Sequence, residues 1–317
     1  MTSGWIAIDI AVAGIGVWLL SHALELLRPR LKAPMRLRWS DTIAIDYVTI
    51  GGVKLRYVTA GSGPTIVLLH TLRTQLDLFE KIIPELSRRF TVYALDYPGH
   101  GYSDIPRARY DAEFFVTAVE GFLDALDLSD VTLAGVSIGG VIPLVIAAKR
   151  NARVARVASI NPYDYAKGRG LARSSVFGWL TTYAALVPVL GEIWMRLRSF
   201  PVTRSILNGG VARAKNIPPA LMREMHAVGN RPRHYRAFIA LLRHGKSWQL
   251  AHEQYSHIAA PVLLVYGDRD WSRITERERT RAHIPNVEMK TIKDAGHFLP
   301  LDRPKELLDL LIGFIAR

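Results

Sequence analysis

The sequence predicts an α/β protein with a doubly wound, mostly parallel sheet, and three observations support this fold class. From about residue 43 onward, short apolar runs typical of buried strands alternate with helical runs, as in a parallel sheet that carries helices on both faces. Between residues 163 and 257 the alternation stops and helical patterns alone remain. Ahead of the sheet lies one hydrophobic helical run, followed by basic residues.

These observations divide the chain of 317 residues into three parts. Residues 1–40 form an N-terminal hydrophobic helix with a basic flank, and residues 41–162 and 258–317 form the sheet domain. Residues 163–257 form an α-helical insertion, which we interpret as a lid over the carboxyl edge of the sheet. With 49% hydrophobic residues, the chain can bury a full core, which excludes a disordered protein.

The net charge of +13 is concentrated in two stretches. Residues 165–250 carry 14 basic and two acidic residues, and residues 21–40 carry five basic residues against Glu25. Both stretches are also rich in Trp, Leu and Val, a combination that favours an anionic membrane surface over nucleic acid. The chain has no cysteine, which excludes disulfides, thiolate catalysis and cysteine-based metal sites.

The N-terminal helix is predicted over residues 5–27, and its first part, residues 5–20, is apolar apart from Asp9. A bilayer span needs about 20 apolar residues, so three alternatives stay open: a span, a helix in the membrane interface, or a helix packed on the domain. We expect membrane attachment. If the helix spans, the basic flank Arg28–Arg38 keeps the rest of the chain on the cytoplasmic side.

The sheet domain begins with two strands joined at Gly51-Gly52, a hairpin signal. Continuous apolar runs then mark strands that are buried on both faces. We predict these strands at residues 65–70, 90–96, 131–136, 153–161, 261–268 and 286–292, with helices at about 75–88, 112–126 and 304–316.

The stretch Val131–Arg150 combines a strand, a sharp turn and a helix, with the hydroxyl of Ser137 at the apex. Gly135, Gly139 and Gly140 leave room for strand and helix to pass close together around a serine in a strained conformation. The start of the helix offers free N–H groups, which suit a site where negative charge develops. Ordinary glycine-rich turns share this pattern, so its role depends on the rest of the chain.

Three residues with matching chemistry follow the carboxyl ends of strands, where parallel sheets bind ligands. They are Ser137, Asp270 in the segment GDRD (267–270), and His297 in DAGH (294–297). A serine hydroxyl becomes a nucleophile when an imidazole takes its proton, and a carboxylate fixes the tautomer of that imidazole. The order Ser, Asp, His along the chain is the order found in the α/β-hydrolase fold.

Residues from about 43 to 317 resemble a lidded α/β-hydrolase of the esterase, C–C hydrolase and haloperoxidase group. The resemblance rests on the strand that ends in His70 and on the segments DYPGHGYSD (96–104), GVSIGG (135–140), GDRD (267–270) and DAGH (294–297). It implies that Ser137 is the nucleophile, His297 the base and Asp270 the orienting acid. Asp268 and, more remotely, Asp164 are rival acids. In the segment 96–104, His100 is expected to be structural.

The resemblance also implies an oxyanion hole formed by the backbone N–H groups of Leu72 and Ile138. Where the family often has a glycine, this chain has Thr71, and a β-branched residue resists the positive φ that glycine allows. Either the loop takes another path or the Thr71 hydroxyl contributes to the site. Thr71, Arg73 and Gln75 are the candidates for binding substrate, the last two through a polar or anionic group.

These residues predict a serine hydrolase that cleaves a hydrophobic carboxylester or thioester through an acyl-enzyme, with no metal or organic cofactor. Relatives that open epoxides or remove halide have an aspartate in place of Ser137, which argues against both reactions. Two alternatives stay open. One is hydrolysis of a C–C bond in a β-diketone-type acid, with Arg73 holding the carboxylate, and the other is a non-catalytic binding protein.

The expected partners are a small hydrophobic substrate and a membrane, with no nucleic acid, and the oligomeric state is left open. The segment 176–195 of the insertion is apolar and aromatic and is flanked by Arg173, Arg196 and Arg198. It is expected to pack over the pocket, to admit lipophilic substrate from a bilayer, or both.

Overall fold

One sheet of eight strands forms the centre of the computed structural model, which describes residues 2–317. The strands are β1 Ile45–Ile50, β2 Val53–Ala60, β3 Thr65–Leu69, β4 Thr91–Leu95, β5 Val131–Val136, β6 Val154–Ile160, β7 Val262–Gly267 and β8 Val287–Ile292. Their order across the sheet is β1-β2-β4-β3-β5-β6-β7-β8. β2 pairs antiparallel with β1 and β4, and the pairs from β4 to β8 are parallel. The predicted fold class is confirmed.

Helices flank the sheet and fill the long connection between β6 and β7. They are α1 Thr2–Leu26, α2 Ile83–Leu86, α3 Ala112–Ala125, α4 Ile138–Ala148, α5 Val176–Leu186, α6 Leu190–Arg196, α7 Phe200–Asn208, α8 Pro219–Gly229, α9 His234–Arg243, α10 Lys246–Leu250, α11 Ile274–Ala282, α12 Leu299–Asp302 and α13 Pro304–Ile315. Short 3₁₀ turns occur at Leu76–Phe79, Ala166–Gly168, Gly170–Arg173, Ala214–Asn216 and Ala251–His257.

The core consists of two apolar layers, one on each face of the sheet. Along β3, Ile66 and Leu68 pack in one layer, while Val67 and Leu69 pack in the other. Successive side chains of a strand point to opposite faces, so a strand with helices on both sides needs an uninterrupted apolar run. This requirement explains why TIVLL is a strand and shows no polar alternation.

The predicted hairpin is present, and the predicted helix at 75–88 is wrong. Gly51 and Gly52 have φ of 55° and 80°, as a two-residue hairpin turn requires. Over 75–88 the chain forms a 3₁₀ turn and then the four-residue α2, which has Pro84 in its first turn. Proline lacks an N–H and is favoured in the first turn of a helix, whereas inside a helix it removes a hydrogen bond. Pro84 therefore favours a new helix start here over one continuous helix.

The C-terminal half of α1 packs on α6 of the insertion. Glu25 forms a salt bridge with Arg198 (2.9 Å) and accepts a hydrogen bond from the Arg233 N–H (2.8 Å). Arg28 donates to the carbonyl oxygens of Arg196 (2.8 Å) and Arg198 (3.2 Å). Arg196 and Arg198 are only 8% and 6% exposed, so these two arginines anchor α1 and add little charge to the surface.

Large apolar side chains of α1 stay exposed, among them Val12, Ile15, Trp18, Leu19 and Leu20. Over residues 2–317, no helix combines the length and the apolar character that a membrane crossing requires.

Candidate active site

Ser137 lies between β5 and α4 with φ of 65° and ψ of −119°. A Cβ atom at Gly135 would overlap the carbonyl oxygen of Gly139, and one at Gly139 would overlap the carbonyl oxygen of Leu69. Both positions therefore require glycine. The Ser137 N–H donates to the Ile160 carbonyl (2.9 Å), which ties the turn to the end of β6.

Asp270 and His297 form a buried pair at the carboxyl ends of β7 and β8. The Nδ1 of His297 lies 2.5 Å from Asp270 Oδ1, and both side chains are fully buried. The other carboxylate oxygen accepts hydrogen bonds from the N–H (2.8 Å) and the hydroxyl of Ser272. Burial by itself would raise the pKa of Asp270. The charge and hydrogen bond of His297 and the two hydrogen bonds from Ser272 lower this pKa instead. The carboxylate can thus hold the imidazole tautomer with Nε2 free to accept a proton.

The rival carboxylates lie elsewhere. Asp268 is exposed and accepts from the Ala295 N–H (3.1 Å). Asp164 is buried against His252, with Oδ2 3.0 Å from the imidazole Nε2. Of the three carboxylates, Asp270 alone hydrogen bonds to His297.

Ser137 and His297 are fully buried, but their reactive atoms are not joined. Within residues 2–317, neither Ser137 Oγ nor His297 Nε2 has a hydrogen-bond partner. The segment after β6 contacts both residues: the Tyr163 N–H donates to the Ser137 carbonyl (3.2 Å), and Asn161 Nδ2 donates to the His297 carbonyl (3.0 Å). Catalytic hydrogen bonds often close only when substrate is bound, so this geometry is compatible with a serine–imidazole pair.

Trp271 covers the imidazole and was not anticipated from the sequence. Its ring stacks on that of His297 with 3.8 Å between centroids and 12° between planes. The indole N–H donates to the Gly209 carbonyl (2.7 Å), which fixes the ring against the insertion. In the sequence, the position of Trp271 directly after Asp270 is the one feature that could have suggested a place in the site.

In the loop after β3, Thr71 does not adopt the left-handed conformation that a glycine at this position would allow. The positive φ of 54° falls on Arg73, while Thr71 is not among the residues with positive φ. The Thr71 hydroxyl is buried and has no hydrogen-bond partner in the described part of the chain. The N–H groups of Leu72 and Ile138 likewise donate to no other described residue. These three groups are available to an oxygen atom of a ligand.

An apolar cavity lies between this loop and the insertion. Leu72, Trp271 and Phe298 border it from the sheet domain. Helices α5 to α7 and α9 supply most of the remaining wall, which is largely aliphatic and aromatic. The cavity therefore suits an apolar ligand portion beside the loop after β3. Ser137 and His297 do not line it, and Trp271, which stacks on His297, forms part of its wall.

The substrate-binding candidates separate in the structure. Thr71 and Arg73 line the cavity, but Gln75 does not. Gln75 is fully buried and donates its amide to Asp77 Oδ2 (2.7 Å). Asp77 also forms a buried salt bridge with Arg56 (2.7 Å), so Gln75 is held inside this network and the expectation that it faces substrate is corrected.

His70 and His100 are buried beside the loop and away from the Asp270–His297 pair. His70 Nδ1 lies 2.7 Å from the Thr71 carbonyl, and His100 Nδ1 lies 3.2 Å from the Pro98 carbonyl. Burial lowers the pKa of His70 to about 4 and that of His100 to about 3. Both are therefore neutral at pH 7, in agreement with a packing role.

Comparison with known proteins gives a consistent family. The model of the alpha/beta hydrolase fold matches residues 64–304. A 2-(acetamidomethylene)succinate hydrolase of Mesorhizobium japonicum is 26% identical over 287 residues, covering 87% of this chain and 96% of that protein. A carboxylesterase of Bacillus subtilis is 22% identical over 283 residues, covering 88% and 90%.

A solved structure of a membrane phospholipase A, a bacterial virulence factor, is similar with a TM-score of 0.70 and 22% identity, covering 99% of this chain and 94% of that one. At this identity the likeness concerns the fold alone. The family model spans most of the chain, and the sheet order and the turn at Ser137 agree with it. The chain therefore belongs to the alpha/beta hydrolase fold family and is an enzyme of the hydrolase class.

Proposed function

We propose that this hydrolase is a membrane-attached serine hydrolase that cleaves a hydrophobic carboxylester or thioester. The observation that carries the proposal is the buried Asp270–His297 hydrogen bond next to an apolar cavity, on the edge of the sheet where Ser137 occupies its strained turn. The named carboxylesterase relative supports ester chemistry for this chain.

In this mechanism, rotation of the Ser137 side chain brings Oγ to His297 Nε2, which takes the hydroxyl proton as Oγ attacks the acyl carbon. The N–H groups of Leu72 and Ile138 stabilise the oxyanion, and the Thr71 hydroxyl adds a third donor. One such donor typically contributes about 10²–10³-fold to turnover. His297 then gives its proton to the leaving alcohol or thiol, and water hydrolyses the acyl-enzyme with His297 as the base. Asp270 stays ionised throughout.

The insertion acts as the lid in this proposal, and its apolar wall binds the hydrophobic part of the substrate. Each methylene group buried there contributes about 0.8 kcal/mol. The exposed apolar residues of the insertion, such as Trp179 (53%) and Val176 (74%), then face the same membrane as α1.

Membrane attachment is supported by the exposed apolar side chains of α1 and by its packing on the insertion. The similar structure that extends over 99% of this chain, α1 included, is that of a membrane phospholipase A. We propose that α1 attaches the enzyme to a membrane surface through these exposed side chains.

The experiment is Ser137→Ala, assayed with p-nitrophenyl esters of four to eight carbons and with a fluorophosphonate probe. We expect loss of turnover by a factor of about 10³ or more and loss of labelling. Ser87→Ala, at a half-buried position where the hydroxyl donates to the Pro84 carbonyl (3.0 Å), serves as the control and should behave like wild type. Wild-type turnover in Ser137→Ala would refute the mechanism, and wild-type protein that does not label would favour a non-catalytic binding protein.

One observation favours hydrolysis of a C–C bond as the second candidate. Arg73 lines the cavity, where it could hold the carboxylate of a β-diketone-type acid, and one relative is named for a substituted succinate. A panel that compares ring-fission-type diketones with esters of similar size separates the two reactions.

A further inference from the structure

Arg73 places a guanidinium group inside the wall of an otherwise apolar cavity. The side chain is half-buried, and it lines the cavity next to Leu72. Its guanidinium carbon lies 5.1 Å from the centre of the Phe238 ring. On another side it packs on Gly229, where a Cβ atom would lie 3.0 Å from Nη2. Phe238 and Gly229 thus pack closely against the guanidinium group.

The Arg73 guanidinium lacks a counter-ion in the described part of the chain. It donates no hydrogen bond to residues 2–317, and no carboxylate oxygen of those residues lies within 4.0 Å. Burial, together with repulsion from Arg198 and Arg28, lowers the pKa of Arg73 to about 9. The group is still protonated at pH 7, so a positive charge is held in a poorly solvated place.

The neighbours of Arg73 increase this imbalance of charge. The carboxylate of Glu25 does not neutralise Arg73, because it already pairs with Arg198 (2.9 Å) and approaches Arg28 (4.0 Å). Burial and the charge of Arg73 lower the pKa of His226 to about 4 and lower that of His234 well below its usual value. The two imidazoles are therefore neutral, and none of these groups compensates the guanidinium.

A cation that lines an apolar cavity without a counter-ion is costly for a folded protein. An apolar residue of similar volume would fill the same place at lower cost, so a structural role does not account for the arginine. Unpaired polar groups in a ligand site, in contrast, are satisfied by the ligand itself and select for it. Guanidinium groups match carboxylate and phosphate oxygens in particular.

We propose that Arg73 binds an oxyanion of the substrate, a carboxylate or a phosphate, so that the natural substrate is an ester carrying a negative charge near the scissile acyl group. The inference rests on the proposed ester hydrolase function and names its substrate class. The apolar wall receives the chain of the substrate, and Arg73, one residue after the oxyanion donor Leu72, receives its charged end.

The test compares two matched substrate pairs. Mono-p-nitrophenyl adipate and p-nitrophenyl hexanoate differ in a terminal carboxylate, and 1-hexanoylglycerol 3-phosphate and 1-hexanoylglycerol differ in a phosphate. We expect wild-type enzyme to prefer the anionic member of one pair in kcat/KM, and the preferred pair identifies the source of the oxyanion. Arg73→Gln should reduce this preference by roughly 30-fold or more, mainly through KM, and Arg73→Lys should restore part of it.

The control is Arg88→Gln, which removes an arginine that is exposed and bound to Glu85 on the surface. This variant should keep the wild-type preference. Absence of a preference in both pairs, or an equal loss for the charged and neutral members in Arg73→Gln, would overturn the inference while leaving the proposed ester hydrolysis in place.

A binding measurement keeps the inference separate from catalysis. Ser137→Ala protein is titrated with monomethyl adipate and with methyl hexanoate, with and without Arg73→Gln. We expect the acid to bind more tightly, with the difference lost in the double variant, whether or not the enzyme hydrolyses esters. The same titration is done with 1-hexanoylglycerol 3-phosphate and 1-hexanoylglycerol, and equal affinities within both pairs in Ser137→Ala protein would refute the charge-binding role.

Thermal stability distinguishes this role from a structural one. Arg73→Met should leave Tm unchanged or raise it, because the variant removes a half-buried charge that has no counter-ion and keeps a side chain that can pack on Phe238. Arg56→Met, at an arginine paired with Asp77 and Asp96, should lower Tm sharply or prevent folding. A fall in Tm for Arg73→Met comparable to that for Arg56→Met would assign Arg73 to the framework instead.

Discussion

Ser137 holds a backbone conformation that costs a non-glycine residue about 1–3 kcal/mol. The cost is sustained by hydrogen bonds to the ends of β6 and α4 and by the absence of side chains at Gly135 and Gly139. Strain of this kind persists where the surroundings over-determine it, and it is concentrated at functional sites. The residue-level geometry therefore gives a physical reason for the position of the Ser137 hydroxyl at the apex of the turn.

The role of the acid is testable with two neighbouring aspartates. Asp270→Asn should lower kcat by about 10⁴-fold, because an amide in place of the carboxylate favours the wrong imidazole tautomer. Asp268→Asn is the matched control, since Asp268 is exposed and bonded to the Ala295 N–H. The measurement is kcat on p-nitrophenyl butyrate, with circular dichroism to verify folding. A larger loss in Asp268→Asn than in Asp270→Asn would reverse the assignment.

Arg73 and Gln75 show how far residue-level reasoning extends. Both were candidates because they follow β3 next to the expected oxyanion loop. The positive φ of Arg73 places its side chain at the cavity, while Gln75 is drawn into the network of Asp77 and Arg56. The difference between them depends on Arg56, which lies in a distant part of the sequence, and no local pattern contains it.

At the level of elements, α1 and the insertion form one unit. Glu25 of α1 binds Arg198, and Arg198 together with Met195 of α6 lines the cavity. The N-terminal helix is therefore a support of the cavity wall as well as a proposed membrane attachment. The basic residues Arg196 and Arg198, which the sequence places beside the apolar segment 176–195, are used inside this contact.

The attachment is tested by fractionation of cells that express the full chain. We expect the protein in the membrane fraction, resistant to extraction with high salt. Ile15→Glu combined with Leu19→Glu should release it, because both side chains are more than half exposed and each would otherwise contribute about 1.5–3 kcal/mol when buried.

The matched control for this prediction is Ile274→Glu, which introduces the same charge at an exposed apolar position of α11. This variant should stay in the membrane fraction. Wild-type protein in the soluble fraction, with α1 intact, would contradict membrane attachment.

At the level of the whole molecule, buried histidines make stability depend on pH. The pKa values of His70 and His100 are about 4 and 3 in the folded protein because of burial, and that of His234 is also well below its usual value. The unfolded chain binds these protons near pH 6.5. Stability is therefore complete above about pH 6.5 and is lost as the pH falls toward 4.

Urea denaturation at pH 7.5 and pH 5.5 measures this effect. His70 and His100 should each reduce the free energy of unfolding by roughly 1 kcal/mol over that interval, and His234 should act in the same direction. His100→Phe keeps an aromatic ring in the same aromatic surroundings. It should remove the contribution of His100 to the difference in stability between the two pH values. An unchanged difference between the two pH values in the variant would show that His100 does not contribute. The lowered pKa of Asp270 acts only at lower pH and does not interfere.

Three features could be predicted from the sequence alone: the parallel sheet, the turn around Ser137 and the order Ser, Asp, His along the chain. These features depend on local periodicity and on spacing, which a single chain displays directly. Only the three-dimensional structure shows which aspartate binds His297, that Trp271 stacks on that imidazole, and that Arg73 lines the cavity without a counter-ion. Such contacts join residues far apart along the chain, and burial and electrostatic pairing between distant segments leave no local pattern from which they could be predicted.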